Sequence, residues 1–280
     1  MADNGAMSFQ VYTPAYPLHR YVRYFYSPTG RMPYREEKVL PSPQTDLKIN
    51  FGGGFVARRA DGTGTFAVDH KGWFMGVWDQ YHTVVWPDDP DFIGVTFWPG
   101  GAHALMGIDI NAVHNQFVPL DAIWGSFTEE LRERLYAAPG FHARFMLLER
   151  LLTARIDRTA KFEKIAPALR ALQSGQAVAE RGFSHKHMIS LFNSVAGVPP
   201  KRLARLYRIQ EVIDAVDQAR PISWTAVAQD FLFADQAHFN KEFKFFTGHT
   251  PRDYLKRRRR VFTETPEHAV HTRLLPMAGD

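Results

Sequence analysis

Several things are missing from this sequence, and each absence narrows what the chain can be. Its 280 residues include no cysteine, which excludes disulfide bonds, thiolate zinc sites and cysteine nucleophiles. No window approaches the ~18 consecutive apolar residues that a membrane helix needs. The first ten residues, MADNGAMSFQ, lack the basic segment and apolar stretch of a signal peptide. We therefore expect a cytoplasmic protein that has no membrane partner.

Charge is distributed unevenly along the chain. Residues 1–159 carry a net charge of −2, residues 160–262 carry +9, and residues 263–280 again carry −2. A basic block beside a nearly neutral one indicates a module that binds a polyanion. A solvated basic surface without a partner is the alternative that charge alone leaves open.

The N-terminal region has the pattern of a β-sheet domain. Five of the six tryptophans precede residue 130, and short runs rich in Val, Phe, Trp or Thr are bounded by Gly, Pro or Asp. The predicted strands are Val39–Leu40, Asp46–Phe51, Phe55–Arg58, Gly72–Trp78, Tyr81–Trp86 and Asp91–Trp98. Such spacing predicts a small barrel or sandwich.

Two helices are predicted after the sheet region. Apolar residues recur on one face of 127–136 and of 141–156, with Pro139 and Gly140 between the two segments. The pattern fits a packed connector or a dimerisation surface, and it does not separate the two.

The basic block contains an internal repeat. Residues 183–200 resemble residues 233–251, and five pairs of matching residues in them are each 51 positions apart. The matched pairs are His187 with His238, Met188 with Phe239, Phe192 with Phe243, Gly197 with Gly248, and Pro200 with Pro251. Two copies are too few for a solenoid, so the repeat predicts two tandem helical units.

Each copy has the local chemistry of a helix-turn-helix. Short apolar segments lead the two units, at 177–179 and at 224–228. Ser184 and Asp235 then stand where an N-cap belongs, since their side chains can accept from free backbone N–H groups. The helices after these caps would bury one face and leave the other free for a DNA major groove.

A further helix is predicted to join the two units. It begins at Pro200, carries apolar residues on one face, and covers about 18 residues, or roughly 27 Å. Two recognition helices that enter successive major-groove segments must lie roughly 34 Å apart. This linker helix is the element that we expect to set that distance.

Together these motifs resemble a known family. Residues 160–258 resemble the AraC-type (AraC/XylS) DNA-binding domain. The matching residues are Phe183, Ser184, Phe192, Gly197, Pro200, Arg208, Ala228, Phe233, Asp235, Gln236, His238, Phe239, Phe243, Gly248, Thr250, Pro251 and Tyr254. Where the family usually has glycine before the second Phe, this chain has Leu232, which can adopt a left-handed conformation at a cost of roughly 1 kcal/mol.

The N-terminal region also resembles a family, the cupin-like sensor domain fused to such regulators. The matching stretches are 97–102 and 119–125. The two resemblances imply an α+β fold: an N-terminal cupin-like β domain with connecting helices, then an all-α domain of two helix-turn-helix units joined by a long helix. The domains expected are 1–126 (sensor), 127–158 (helical connector), 159–262 (DNA-binding) and 263–280 (a flexible tail).

DNA contacts are expected on both recognition helices and on the helices that flank them. The candidate residues are His185, Lys186, Ser190 and Asn193 on the first recognition helix, Gln236, His238, Asn240 and Lys241 on the second, and Arg202, Arg205, Lys244 and Arg252 as backbone contacts. Lys186 can reach guanine acceptors and Gln236 can bond adenine on two atoms. His238 can instead make a structural hydrogen bond. The run 257–260 is either a phosphate contact or a solvated surface.

The rival function class is a metal-dependent cupin-type enzyme. Such a metal site needs a His-x-His pair on a strand, and the one pair of this kind is His185 and His187, inside the predicted recognition helix. Other N-terminal histidines are isolated, and no Ser/His/Asp grouping is visible. We therefore expect no enzymatic activity, no catalytic or metal-binding residues and no cofactor.

The sequence favours a sequence-specific, DNA-binding transcription regulator. Its expected partners are double-stranded DNA, a small-molecule effector bound by the N-terminal domain, RNA polymerase and a second copy of the chain. A regulator whose N-terminal domain only mediates protein contacts is the other alternative, and it would have no enclosed pocket. Trp and Phe in the sheet region favour a pocket, although they can also fill a core.

Overall fold

The N-terminal half is a β-sandwich. The computed structural model describes residues 8–68, 71–157, 159–176, 182, 184–216, 221–265 and 273–277. The strands are β1 (Ser8–Tyr12), β2 (Val22–Thr29), β3 (Glu36–Val39), β4 (Asp46–Asn50), β5 (Phe55–Arg59), β6 (Thr65–Val68), β7 (Gly72–Met75), β8 (His82–Val85), β9 (Phe92–Phe97), β10 (Phe117–Pro119) and β11 (Leu274–Pro276). One sheet has the order β1-β2-β9-β4-β7-β10, and the other has the order β11-β3-β8-β5-β6.

Each of the six segments predicted as strands overlaps one, namely β3, β4, β5, β7, β8 or β9, but Val39–Leu40 shares only Val39 with β3. Aromatic and β-branched residues mark strands such as β7 and β9, whereas β3, with the sequence EEKV, lacks that pattern. Strands β1, β2, β6, β10 and β11 were not predicted. Some of them carry proline inside the pairing register, as at Pro28 in β2 and Pro119 in β10, and proline lowers the strand signal in a sequence.

The helices follow the predicted order. They are α1 (His103–Met106), α2 (Leu120–Trp124), α3 (Phe127–Ala137), α4 (Gly140–Thr153), α5 (Thr159–Gln173), α6 (His185–Ala196), α7 (Pro200–Val216), α8 (Trp224–Asp230), α9 (Gln236–Thr247) and α10 (Pro251–Glu264). Short 3₁₀ turns lie at Leu18–Arg20 and Ile110–Val113. The predicted helices at 127–136 and 141–156 are α3 and α4.

The connector helices pack onto the sandwich through their apolar faces. Leu131 and Leu135 of α3 are buried, as are Phe145 and Leu148 of α4. The Phe145 ring stacks on Tyr12 of β1 with centroids 5.8 Å apart. These apolar faces are therefore buried against the sandwich of the same chain, as the packed-connector alternative predicts.

The sandwich and the helical half share one hydrophobic core. The main buried cluster extends from β-strand residues such as Phe25 to residues of α5 and α7. At the junction the Tyr21 and Phe162 rings lie 5.0 Å apart. The second helix-turn-helix also contacts the sandwich, because the amide of Tyr81 donates to the carbonyl of Phe246 at 3.1 Å.

The C-terminal segment departs from the expectation of a flexible tail over 263–280. Residues 263 and 264 continue α10, and Leu274–Pro276 forms β11, an edge strand that pairs antiparallel with β3. The side chain of Leu275 is fully buried. Arg258 of α10, within the basic run 257–260, is only 2% exposed and donates to the carbonyl of Leu274 at 3.0 Å. Burial of Leu275 and this hydrogen bond give the segment a defined place that its composition does not indicate.

Candidate functional site: two capped helices and an aromatic cavity

The first recognition helix, α6, begins and ends as its sequence predicts. The side chain of Ser184 accepts from the amide of His187 at 3.3 Å, and Gly197 ends the helix in a left-handed conformation. Met188 and Phe192 are buried, whereas His185, Lys186 and Ser190 are exposed on the opposite face. Asn193 is half-buried. The predicted lead segment 177–179 and the motif residue Phe183 lie outside the described residues.

The second recognition helix, α9, repeats this arrangement. Asp235 accepts from the amide of His238 at 2.7 Å, and Gly248 ends the helix with a positive φ. Phe239 and Phe243 are fully buried. The predicted contact residues on the outer face, Gln236, His238, Asn240, Lys241 and Lys244, are exposed. The lead segment is helix α8, in which Trp224 stacks on Phe239 at 6.0 Å.

Leu232 forms the left-handed turn between α8 and α9. Its φ is +55° and its side chain is 81% exposed, which confirms the conformation expected where the family has glycine. Arg208 of α7 donates to the Leu232 carbonyl at 3.2 Å, and its guanidinium lies 4.3 Å from the Phe233 ring centroid. The turn is therefore held in place from the linker helix.

A buried carboxylate joins the linker helix to the second recognition helix. Glu242 of α9 accepts from Arg205 Nε at 2.5 Å and from Arg208 Nη2 at 3.0 Å. His238 Nε2 lies 3.3 Å from the same carboxylate. Sequence reasoning did not single out Glu242, because a glutamate on an amphipathic helix is normally solvated. It assigned Arg205 to the DNA backbone, whereas the Arg205 guanidinium faces Glu242 here.

Other predicted contact residues also have partners within the chain. Arg202 Nε lies 2.6 Å from Oδ2 of Asp79, in the loop between β7 and β8. Gln236 accepts from the Thr225 hydroxyl at 2.9 Å. His238 Nδ1 lies 3.4 Å from the amide of Ala234, which is the structural hydrogen bond considered for it. Arg252, at the start of α10, is exposed.

Helix α7 runs between the two units. It covers 17 residues from Pro200 to Val216, and its apolar stripe includes Ile209 and Ile213, both buried. Its length agrees with the predicted linker. The roughly 34 Å separation of the recognition helices stays a prediction.

An aromatic cavity of about 490 Å³ lies between the two sheets of the sandwich. Four buried rings of its lining lie close together: the Phe55 centroid lies 5.0 Å from Trp73, 5.4 Å from Trp86 and 5.5 Å from Phe92. The lining also includes Gln210 and Asp214 of α7, and Arg273 and Leu274 of the C-terminal segment. The cavity is therefore bounded on one side by elements of the helical half.

Polar groups in the cavity wall form a compact network. Asp46 accepts from Lys48 at 2.7 Å, from the Tyr26 hydroxyl at 2.9 Å and from the Thr96 hydroxyl at 2.9 Å. His82 is buried nearby. Burial, followed by the positive charges of Lys48 and Arg273, lowers the pKa of His82 to about 3. Its imidazole is therefore neutral at physiological pH.

Two general features bear on the alternatives. Across the parts of the chain that the structure describes, no group of three or more His, Asp or Glu residues is arranged to hold a metal ion. No helix within those same parts is both long and apolar enough to span a bilayer.

Comparison with known proteins identifies a family for each half. Residues 10–119 match a family described as a domain of unknown function (DUF6597), and residues 177–257 match a family described as a helix-turn-helix domain. No curated protein matches the sequence.

Among solved structures, the chain is similar to ToxT from Vibrio cholerae. A ToxT bound to (E)-4-(8-methylnaphthalen-1-yl)but-3-enoic acid is 11% identical, with a TM-score of 0.42 over 90% of this chain and 99% of that one. A wild-type ToxT bound to an unsaturated fatty acid is 12% identical, with a TM-score of 0.37 over 91% and 97%. The match at residues 177–257, the capped helices α6 and α9 and the linker α7 lead to one conclusion: the chain carries a C-terminal helix-turn-helix DNA-binding domain of the AraC type, behind an N-terminal domain from a family of unknown function.

Proposed function

We propose that this protein is a sequence-specific transcription regulator whose DNA binding responds to a small molecule held in the aromatic cavity. The observation that carries the proposal is the composition of the cavity wall. Strands of the sandwich supply most of it, and Gln210 and Asp214 of the linker helix supply the rest together with the C-terminal segment. A ligand there would touch both the sheet domain and the helix that joins the two DNA-binding units.

The cavity also bears on the alternatives. A volume of about 490 Å³ lined by aromatic rings falls in the range of small-molecule sites. An N-terminal domain that served protein contacts alone would not need such a space.

For DNA recognition we propose that the exposed faces of α6 and α9 read bases. Lys186 and Ser190 would act on the first helix, and Gln236, Asn240 and Lys241 on the second. Asn193 is placed at the edge of the first face because it is half-buried. Arg202 and Arg205 would reach phosphates only after leaving Asp79 and Glu242, so we assign them a lesser part.

The proposed division of the chain follows these roles. Residues 1–126 form the sensor, 127–158 the connector, and 159–262 the DNA-binding domain. We propose RNA polymerase as the downstream partner and allow for a second copy of the chain. Light scattering of the full chain with and without its DNA site would measure the stoichiometry.

Selection of a preferred DNA site, followed by fluorescence anisotropy on the full chain, tests the assignment of base contacts to α6 and α9. We expect Lys186→Ala and Gln236→Ala to cost about 1–3 kcal/mol each and to relax preference only in their own half of the site. Lys164→Ala, an exposed lysine of α5, is the matched control and should change affinity little. If six to ten phosphates are contacted, affinity should fall about 10³–10⁵-fold between 50 and 200 mM salt. Equal losses for all three variants would contradict the assignment.

A further inference from the structure

The lining of the aromatic cavity has two parts that differ in burial and chemistry. One part, the inner rings, consists of the buried side chains of Phe55, Trp73, Trp86 and Phe92. The other part consists of residues that are exposed or half-buried, namely Arg23 of β2, Gln210 and Asp214 of α7, and Arg273. A ligand that fills this space needs a flat apolar body and one polar end.

The two acidic groups of the wall differ in how far their charge is already compensated. Asp46 is satisfied by Lys48, Tyr26 and Thr96 within the cavity wall. Asp214 accepts from Gln210 Nε2 at 3.1 Å and is exposed to solvent. Asp46 therefore needs nothing from a ligand, and Asp214 lies where water can screen it.

The arginines are not compensated in the same way. Arg273 makes one long side-chain hydrogen bond, to Gln44 Oε1 at 3.5 Å, and its Nε is buried without a partner. Within the ranges that the structure describes, no carboxylate lies at ion-pair distance from Arg273. Arg23 packs its guanidinium over Tyr24 at 5.5 Å and Trp98 at 5.2 Å. Arg23 is exposed, so water screens its charge as it screens that of Asp214. Arg273 is the half-buried cation of the wall whose charge no described carboxylate pairs.

The protonation state of His82 also reflects the positive charge in the cavity wall. The residue is 2% exposed; its ring centroid lies 4.5 Å from that of Trp78 in a tilted contact and 5.2 Å from that of Phe117 in an edge-to-face contact. Burial is the largest cause of its lowered pKa, and the positive charges of Lys48 and Arg273 act in the same direction. The contribution of these two cations has the sign that an anionic ligand would complement.

Arg273 also connects the cavity to the second helix-turn-helix. Its carbonyl accepts from the amide of Leu40 at 2.8 Å, and the amide of Met277 donates to the carbonyl of Glu36 at 2.9 Å. The next residue, Leu274, accepts from Arg258 of α10. A ligand bound to Arg273 would thus hold the short strand that both the sandwich and α10 contact.

We propose that the cavity binds an organic anion with a flat apolar body, and that Arg273 of the C-terminal segment supplies its charged contact. The inner rings take the apolar body, and the guanidinium takes the carboxylate or equivalent group. The proposal rests on the proposed function, since it names the ligand class of the same cavity. It adds that β11 completes the ligand site.

Three probes with the same ring system and different charge test the proposal. Indole-3-acetate is an anion, indole-3-acetamide its neutral counterpart and tryptamine a cation. Calorimetric titration of the full chain at pH 7.5 should give the tightest binding for the anion, at least tenfold over the amide, with tryptamine weakest. A tenfold ratio of the two affinities is the effect expected when a neutral hydrogen bond is replaced by one to a charged group. Arg273→Gln should abolish the preference for the anion and leave amide binding in place.

Two further variants serve as controls for charge and for position. Arg273→Lys keeps the charge and should keep the anion preference. Arg134→Gln, which removes a surface guanidinium from α3 paired with Glu130, should leave all three affinities unchanged. Thermal unfolding of each variant verifies folding.

The negative results distinguish failure of the anion proposal from failure of the proposed small-molecule function. If amide and acetate bind equally to the wild type, or if Arg273→Gln keeps the preference for acetate, the anion proposal is wrong and the cavity remains a ligand site. If none of the three probes binds, the small-molecule function itself is overturned, and the anion proposal with it.

Discussion

Glu242 offers the sharpest test of how the two DNA-binding units are held together. Its carboxylate is buried between Arg205 and Arg208 of the linker helix, on the recognition helix of the second unit. Replacing Glu242 with glutamine keeps the shape of the side chain and removes its charge. Both guanidinium groups then lose their counter-charge while staying packed against the same helix.

The magnitude follows from burial on the two sides. Breaking a fully buried ion pair costs about 3–5 kcal/mol because an unpaired charge stays in the interior. Here the carboxylate side chain is 4% exposed, but the arginines are 36% and 27% exposed, so water can solvate them in part. We discount the cost accordingly and expect Glu242→Gln to lower the free energy of unfolding by about 2 kcal/mol.

Urea unfolding of the full chain measures this change, and anisotropy with the selected DNA measures its consequence. We expect a loss of affinity together with the loss of stability, because α7 and α9 are no longer fixed to each other. Glu211→Gln is the matched control: Glu211 lies on α7 and is exposed, so its change should stay within about 0.5 kcal/mol. A Glu242→Gln protein as stable as this control would show that the Glu242 carboxylate does not hold α7 and α9 together.

Three other perturbations have expected outcomes that unfolding experiments can check. Asp235→Ala should cost about 1 kcal/mol through the lost N-cap of α9, while Asp235→Asn should retain most of it. Leu232→Gly should raise the free energy of unfolding by up to about 1 kcal/mol because its left-handed backbone is strained, and Leu232→Ala should give no gain because it keeps the Cβ atom; a gain in both would point away from backbone strain. His82 takes up a proton below pH 6.5 when unfolded but only near pH 3 when folded. The free energy of unfolding should therefore decrease as the pH is lowered through that window, by about 1.4 kcal/mol per pH unit. His82→Gln should flatten the slope measured between about pH 7 and 5.5.

The helical half was the more predictable part because its signals are local. Ser184 and Asp235 cap helices that begin one residue later, and a cap needs only the next turn of backbone. The left-handed conformation of Leu232 was implied by the family resemblance, in which glycine stands at this position, and its φ of +55° agrees. The repeat at an offset of 51 residues fixed the order of the two units before any packing was known.

The strands were predictable only where side chains carry the pattern. Segments such as Phe92–Phe97 consist of aromatic and β-branched residues apart from Gly94, so the sequence pattern identifies them. Strand β10, of three residues, owes its existence to its pairing with β7. Pairing partners are distant in the chain, and no local pattern identifies them.

The capped helices, the doubled helix-turn-helix and the amphipathic linker could be predicted from the sequence, because each depends on residues a few positions apart. Which charged side chains meet depends on the packing of distant segments. It turned Arg202 toward Asp79 and Arg205 toward Glu242, so that two arginines expected on the DNA backbone contact carboxylates of their own chain. It also paired β11 with β3 at the edge of the sheet and brought Arg273 to the aromatic cavity. These contacts join residues far apart in sequence, and only the folded backbone brings them within the few ångströms at which charge and hydrogen bonding act.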